Sequence, residues 1–422
     1  MKRKFIIKLN LLIFVPALTA GLFFTCGFFF KVPAGVTVDG VDVGGLSVRS
    51  AVTAVRENTI KNLKSKKLCV NGKRRYVFAY PEINFKDNAR EVVASSKKGG
   101  TYSTEVSYYL NGLDEIATYI CADESCAPVE PYAVFNSYGE PFTYFEGSDG
   151  AEADREKLVS DIKDSLENGF GEVYARVNVL KRTKTMDEVR ADTKLLTSFT
   201  TYFDGSNYPR SHNIRLASGK INGMIIRDGE EFSFNNTVGV RSEARGFKTA
   251  KIIENGEFVE GVGGGVCQVS TTLYNAVVRA GCSVTEYHPH SLAVGYVPPS
   301  FDAMVSGTYC DLKFKNATGA TLFVRAYTGD NFVKFSVYGR GDGAKYEMMS
   351  RVTASIPAEE EITDDPSKAR KGKDGTKSEA YLTVTKDGRK RTVLLRRDSY
   401  SPVKHVVCEE VGEEQNGEQS GD

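Results

Sequence analysis

Tryptophan is absent from this chain of 422 residues, and histidine occurs four times, at His212, His288, His290 and His405. Any chemistry that needs an imidazole must use one of those positions. A dominant charge is missing as well: 55 lysines and arginines nearly cancel 54 aspartates and glutamates, leaving a net charge of +1. That balance supplies no overall field for a polyanion, and nucleic acid is not expected as a partner. Cysteine is too sparse for a disulfide scaffold, with eight in the chain. Seven lie outside the N-terminal apolar run, so at least one is unpaired in a monomer. Cys121 and Cys126 are close enough to bridge a local loop, and Cys267 is the expected free thiol.

Long apolar runs are also rare, and the one that occurs is at the N-terminus. Leu9–Phe30 is 22 residues long and almost wholly apolar, where a bilayer core needs roughly 20 helical residues. Lys2, Arg3, Lys4 and Lys8 precede it, which predicts a cytoplasmic segment 1–8 and the bulk of the chain outside. The expected location is therefore the cell membrane, single-pass, with the bulk of the chain extracellular. A cleaved signal peptide is the alternative. Its apolar region is about 7–15 residues, and no clean small-x-small site precedes Leu22, so an uncleaved anchor over 9–30 is preferred.

The remaining composition, with 40 glycines, 24 phenylalanines and 21 tyrosines, leans toward β structure, and the overall expectation is an α+β protein of two or three domains. Residues 36–56 alternate valine with polar residues and glycine, and Ser47 looks like the cap of a helix to about Lys64. Helices are expected near 112–121 and over 153–168, with Leu158, Ile162 and Leu166 on one face. From about residue 195 strand and turn signals become dense. Val284–Val297 reads as a strand carrying His288 and His290. Residues 357–378 are charged and expected to be loose, Lys386-Asp387-Gly388-Arg389 signals a hairpin, and 411–422 reads as a disordered tail.

The chain is organised around Gly261–Ala276. Three consecutive glycines, Gly263, Gly264 and Gly265, permit a tight turn and close approach. Val269, Leu273, Ala276, Val277 and Ala280 then fall on one helical face, and Gly281 supplies a stop. Cys267 thus sits at the start of a helix, where the positive end of the dipole favours a thiolate. A cysteine nucleophile needs a base and an orienting partner. The expected triad is Cys267 as nucleophile, His290 as base and Asp302 as its orienter, with His288 as alternate base. Cysteine at a helix start, then histidine, then an acid is the element order of the transglutaminase and papain-like groups, and Gly-Val-Cys-Gln at 265–268 resembles the transglutaminase turn. Two other readings stand beside it. A cysteine at the start of an apolar helix often only packs, and Cys267, His288 and His290 could ligate zinc, although no second cysteine pair supports a metal. No cofactor or metal is expected.

A family resemblance covers the same region. Its wording is Arg210 with Asn213-Ile214, Ile221-Asn222-Gly223, Gly229-Glu-Glu-Phe-Ser-Phe-Asn235, Val238-Gly239, Gly246-Phe247 and Gly263-Gly-Gly-Val-Cys-Gln-Val-Ser-Thr-Thr-Leu-Tyr-Asn-Ala276. It continues through His288-Pro-His-Ser291, Tyr296-Val-Pro-Pro299, Asp302-Ala303 and Asp311–Asn316. Residues 210–325 so read resemble the VanW family of bacterial cell-envelope proteins, and a VanW-like domain is expected over 195–327. Two positions depart from the pattern: Tyr287 stands where arginine is expected, and Ser300 where glycine is expected. Residues 36–190 resemble the peptidoglycan-binding module that often precedes this domain, and 345–410, with Gly372, Gly375 and Gly388, resemble a G-five β module. The resemblance implies a place, a bacterial, membrane-anchored protein facing the cell wall. The first functional expectation is engagement of peptidoglycan or its stem peptides, with Gly263, Gly264, Gly265, Gln268, Asn235 and Tyr274 in the binding surface; the alternative is a cysteine-dependent acyl-transfer or amide-hydrolysing enzyme acting on those peptides. The resemblance itself implies no particular reaction.

Overall fold

In the computed structural model, which describes residues 31–254, 257–307 and 309–408, glycine turns and short alternating segments produce many brief strands. The described residues form twenty-six strands and eight α-helices, so the chain is mainly β and the expected α+β class is corrected. The abundance of β-branched and aromatic residues between glycine turns accounts for this, since such side chains fit a pleated surface better than a helix. The expected membrane anchor over 9–30 lies outside the described residues. Among the described residues no helix is long and apolar enough to cross a membrane. The expected single-pass membrane location therefore gains no support from the described residues.

The chain divides into two units, one of residues through Ala127 with Gly150–Leu180, the other of Pro128–Asp149 with Lys181 onward. In the first unit, Ser47 caps the helix Val48–Leu63 by accepting from the Ser50 N–H, as its sequence predicts. Helices Leu113–Glu124 and Arg155–Glu167 follow, and Leu158, Ile162 and Leu166 of the latter join one core with Leu63, Leu68 and Ile120. Cys121 and Cys126 are both free thiols. The first is buried on its helix and the second is held by backbone pairing to Ala151, so the expected local disulfide does not form.

The second unit is built on a four-stranded antiparallel sheet in the order Lys194–Tyr202, Phe332–Gly339, Leu322–Thr328, Met224–Ile226. Alternation in Phe332–Gly339 sends Val333, Phe335 and Val337 to the buried face. On that face lie helices Tyr208–Ile221 and Val266–Arg279. The second of these is buried nearly all round, with Val269, Leu273, Ala276 and Val277 at no exposure. Each of the valine and leucine side chains contributes about 1.5–3 kcal/mol by leaving water. A smaller sheet, Glu231–Ser233, Lys313–Lys315 and Ser283–Glu286, and the hairpin Thr249–Glu254 with Glu257–Val262 flank the helix.

The C-terminal sheet orders Lys345–Ile356, Gly375–Lys386 and Arg389–Tyr400. Its hairpin turns at Asp387 and Gly388, both left-handed with φ of 50° and 74°, as the sequence predicts. Residues 357–378, expected to be loose, instead hold a strand at Glu360–Thr363 that pairs with His405–Cys408. Backbone pairing there outweighs the charged composition. Between residues 283 and 297 strand structure is limited to Ser283–Glu286, so the expected strand through Val297 is also corrected. Pro289 lies between the two histidines and offers no N–H to a ladder.

Asn213 ties the glycine turn to the sheet-facing helix. Its amide donates to the carbonyls of Lys248 and Gly264 at 2.8 and 3.0 Å and its oxygen accepts from the Lys248 N–H at 2.7 Å, all with no exposure. Asn213→Ala leaves those buried groups unpartnered and is expected to cost about 2–4 kcal/mol, read as a lower midpoint in denaturant unfolding. An unchanged midpoint would contradict the role.

Candidate active site

Helix Val266–Arg279 begins at Gly265, which is left-handed at φ +102° and offers no side-chain cap. Cys267 is its second residue, so its N–H belongs to the first turn, where no intrahelical carbonyl is in reach. The polar residues that follow bind the segment carrying the acid. Ser270 Oγ donates to the Ala303 carbonyl at 2.6 Å, Thr271 Oγ1 accepts from the Ala303 N–H at 3.0 Å, and Asn275 Nδ2 donates to the Phe301 carbonyl at 2.7 Å. These three bonds fix Asp302 beside the helix.

Asp302 is almost wholly buried and its carboxylate has several donors. Oδ2 accepts from the His290 backbone N–H and from His290 Nδ1, both at 2.7 Å. Oδ1 accepts from the Tyr400 hydroxyl at 2.5 Å and lies 3.5 Å from Arg396 Nη2. With Nδ1 committed to the acid, the other ring nitrogen of His290 is left for Cys267, with which the ring interacts. The expected triad is thus brought together. Burial works against charge on all three groups, yet their mutual attraction prevails. His290 is pushed up to about 9 by its bonds to Asp302 and Cys267. Asp302 and Cys267 are both held below their ordinary values, chiefly by His290. These shifts move the pair toward a thiolate facing an imidazolium, relative to the separate groups. As a neutral thiol, Cys267 donates instead to the Val305 carbonyl at 3.3 Å.

The other expected residues fall in different places. His288 bonds Glu286 Oε1 at 3.0 Å and does not serve Cys267. The backbone around Pro289 places the two imidazoles in separate surroundings, so the zinc reading loses its third ligand. Among the described residues no group of three or more metal-binding side chains could hold an ion. Gln268 is buried and fully engaged, accepting from Arg210 and donating to Thr201 and the Tyr202 carbonyl. Tyr274 packs behind the acid against Tyr287, away from the cleft. Gly263, Gly265, Gln268 and Asn235 do line a cleft of about 1110 Å³ that opens over the half-buried Cys267. Gly264 is pressed against the hairpin, where a Cβ would meet the Lys251 carbonyl at 2.7 Å.

Sequence reading missed the C-terminal contribution. Arg396 is buried, donates to the Asp302 carbonyl and to Asp398, each at 2.6 Å, and lies 4.3 Å over the Tyr287 ring. Ser300 is left-handed at φ +65°, which explains the glycine expected there. Its N–H donates to the Tyr400 hydroxyl at 2.7 Å and its hydroxyl bonds Ser378 at 2.7 Å. Both departures from the family pattern, Tyr287 and Ser300, therefore meet side chains of the C-terminal sheet.

A family model described as VanW like protein matches residues 209–338. Those residues form a VanW-like domain. The chain is 46% identical over 134 residues to the uncharacterized protein YoaR of Bacillus subtilis (strain 168), covering 32% of this chain and 44% of that one. It is 32% identical over 118 residues to the Vancomycin B-type resistance protein VanW of Enterococcus faecalis (strain ATCC 700802 / V583), covering 26% of this chain and 42% of that one. The matched region is thus less than half the length of each of these relatives. No solved structure matches the chain. Cys267, His290 and Asp302 lie inside the VanW-like domain, whereas Arg396, Asp398 and Tyr400 lie beyond it.

Iodoacetamide alkylation of Cys267, followed by peptide mass mapping across pH, tests the triad. The apparent pKa is expected below the ordinary cysteine value of about 8.5. His290→Ala should raise it, because burial then meets only the weaker opposition of Arg241 and the Val305 contact, and Asp302→Asn should raise it less. His288→Ala should leave it unchanged. An identical profile in all four proteins would contradict the assignment.

Proposed function

We propose that this chain is a cysteine-dependent acyl-transfer enzyme of the cell envelope, acting on amide bonds of cell-wall peptides. The observation that carries the reading is the buried Cys267–His290–Asp302 arrangement at the floor of an open cleft. The envelope setting is supported by the VanW-like domain and by the printed name of the Enterococcus faecalis relative. In the reaction, Cys267 Sγ attacks the amide carbonyl and the carbon takes up a tetrahedral oxyanion. The Cys267 N–H in the first helical turn is placed to donate to that oxygen. The carbon–nitrogen bond then breaks, and the leaving amine takes its proton from His290. An incoming amine or water attacks the thioester while His290 takes the attacking proton. Release of the new amide or acid restores the thiolate.

A binding reading shares the same partner, peptidoglycan or its stem peptides, without bond making or breaking. The region 36–190 would be the wall-binding part in either case. The triad favours the enzyme, because a peptide-binding cleft needs no thiol–imidazole pair on its floor.

Incubation of the full chain with peptidoglycan-derived peptides, without an added amine acceptor, is expected to yield a thioester adduct on Cys267. Intact mass would detect it, and hydroxylamine should release it. Cys267→Ala should form none. Wall-peptide binding equal in both proteins, with no adduct and no change in the peptides, would support the binding reading instead.

A further inference from the structure

The cleft over Cys267 has a charge pattern that the triad does not use. Among the described residues its lining contains Arg210, Arg241, Arg245 and Lys251 but no aspartate or glutamate. This contrasts with a chain whose charges balance overall. Three lining glycines each leave room for one of the arginines. A Cβ on Gly263 would meet Cβ of Arg241 at 3.0 Å, one on Gly265 would meet Cγ of Arg210 at 3.0 Å, and one on Gly239 would meet Nη1 of Arg245 at 2.6 Å. The glycines beside the nucleophile thus serve to seat cations as well as to turn the chain.

Arg241 is the most informative of the four. It is half-buried, donates to Asn235 Oδ1 at 2.6 Å and lies 5.7 Å over the Phe234 ring. Among the described residues no carboxylate forms an ion pair with it. Burial lowers its proton affinity, and the thiolate form of Cys267 and the Asp311 carboxylate, which is not paired with it, oppose that effect. A desolvated guanidinium with a neutral hydrogen-bond partner is costly unless an anion arrives to pair with it, and its planar fork fits a carboxylate. Arg210 is already committed to Gln268, while Arg245 and Lys251 are exposed toward the mouth.

Resting on the acyl-transfer reading above, we propose that the substrate of the Cys267 site is a peptide bearing a free carboxylate near the reacting amide. The carboxylate pairs with Arg241, and Arg245 with Lys251 draws it into the cleft. A cleft lined by one sign of charge concentrates the opposite ion and raises its capture rate by about tenfold or more.

The test uses two alkylating agents of similar size, anionic iodoacetate and neutral iodoacetamide, on Cys267 of the full chain. Both report the same thiolate, so the ratio of their rates isolates selection by charge. The ratio is expected to fall about tenfold in Arg241→Gln, and to fall as salt screens the cleft. The exposed double variant R245Q/K251Q should lower it in the same direction, and it decides the matter if Arg241→Gln does not fold. A ratio unchanged in these variants and in salt, with iodoacetamide still reacting rapidly, would overturn the carboxylate site and leave the enzyme standing. If iodoacetamide itself reacts no faster than with an ordinary cysteine, the acyl-transfer reading beneath the proposal is overturned instead.

Discussion

The buried carboxylate of Asp302 is the interaction on which the site depends. Its two oxygens accept from the backbone and ring of His290 and from the Tyr400 hydroxyl, with the Arg396 guanidinium close by. A carboxylate so buried would be neutralised unless donors surrounded it. Here the donors come from two regions far apart in sequence. Once Asp302 is ionised, His290 has both a fixed orientation and a reason to hold its second proton, and Cys267 gains a cationic neighbour. Loss of the charge on Asp302 would remove the stabilisation from each of the other two groups.

The helix Val266–Arg279 connects this chemistry to the core. Its apolar residues pack on the main sheet, and its hydroxyl and amide residues hold the 301–303 segment. One element therefore sets the nucleophile at its first turn and the acid along its side. The C-terminal sheet completes the enclosure through Arg396, Asp398 and Tyr400. Although the family match ends at residue 338, the acid's surroundings extend beyond it. In this chain the VanW-like domain alone does not contain all the groups that stabilise Asp302.

The triad was legible because its parts lie within 36 residues and carry distinctive signals: a glycine turn before a helical apolar face, a scarce histidine pair and a following acid. The choice between His288 and His290 was partly hidden by treating their segment as a strand. Pro289 was the signal against it. Tyr400 and Arg396 were not legible, because they reach Asp302 across 98 and 94 residues and no local pattern marks such pairing. Tyr274 lies outside the cleft lining and belongs to the motif for packing, a distinction that wording alone does not reveal. The helices at 48–63 and 155–167 were readable from cap and period. The mainly β character was underestimated because many strands here are three or four residues long, too short for periodicity to register.

The central claim is that His290, held by Asp302, shifts Cys267 toward the thiolate. The most direct measurement is the ultraviolet absorbance of the thiolate as a function of pH, taken as the difference between the full chain and Cys267→Ala. A thiolate signal already present at neutral pH, with a midpoint below about 8.5, is the result this account predicts. A signal that first appears above that value would contradict it.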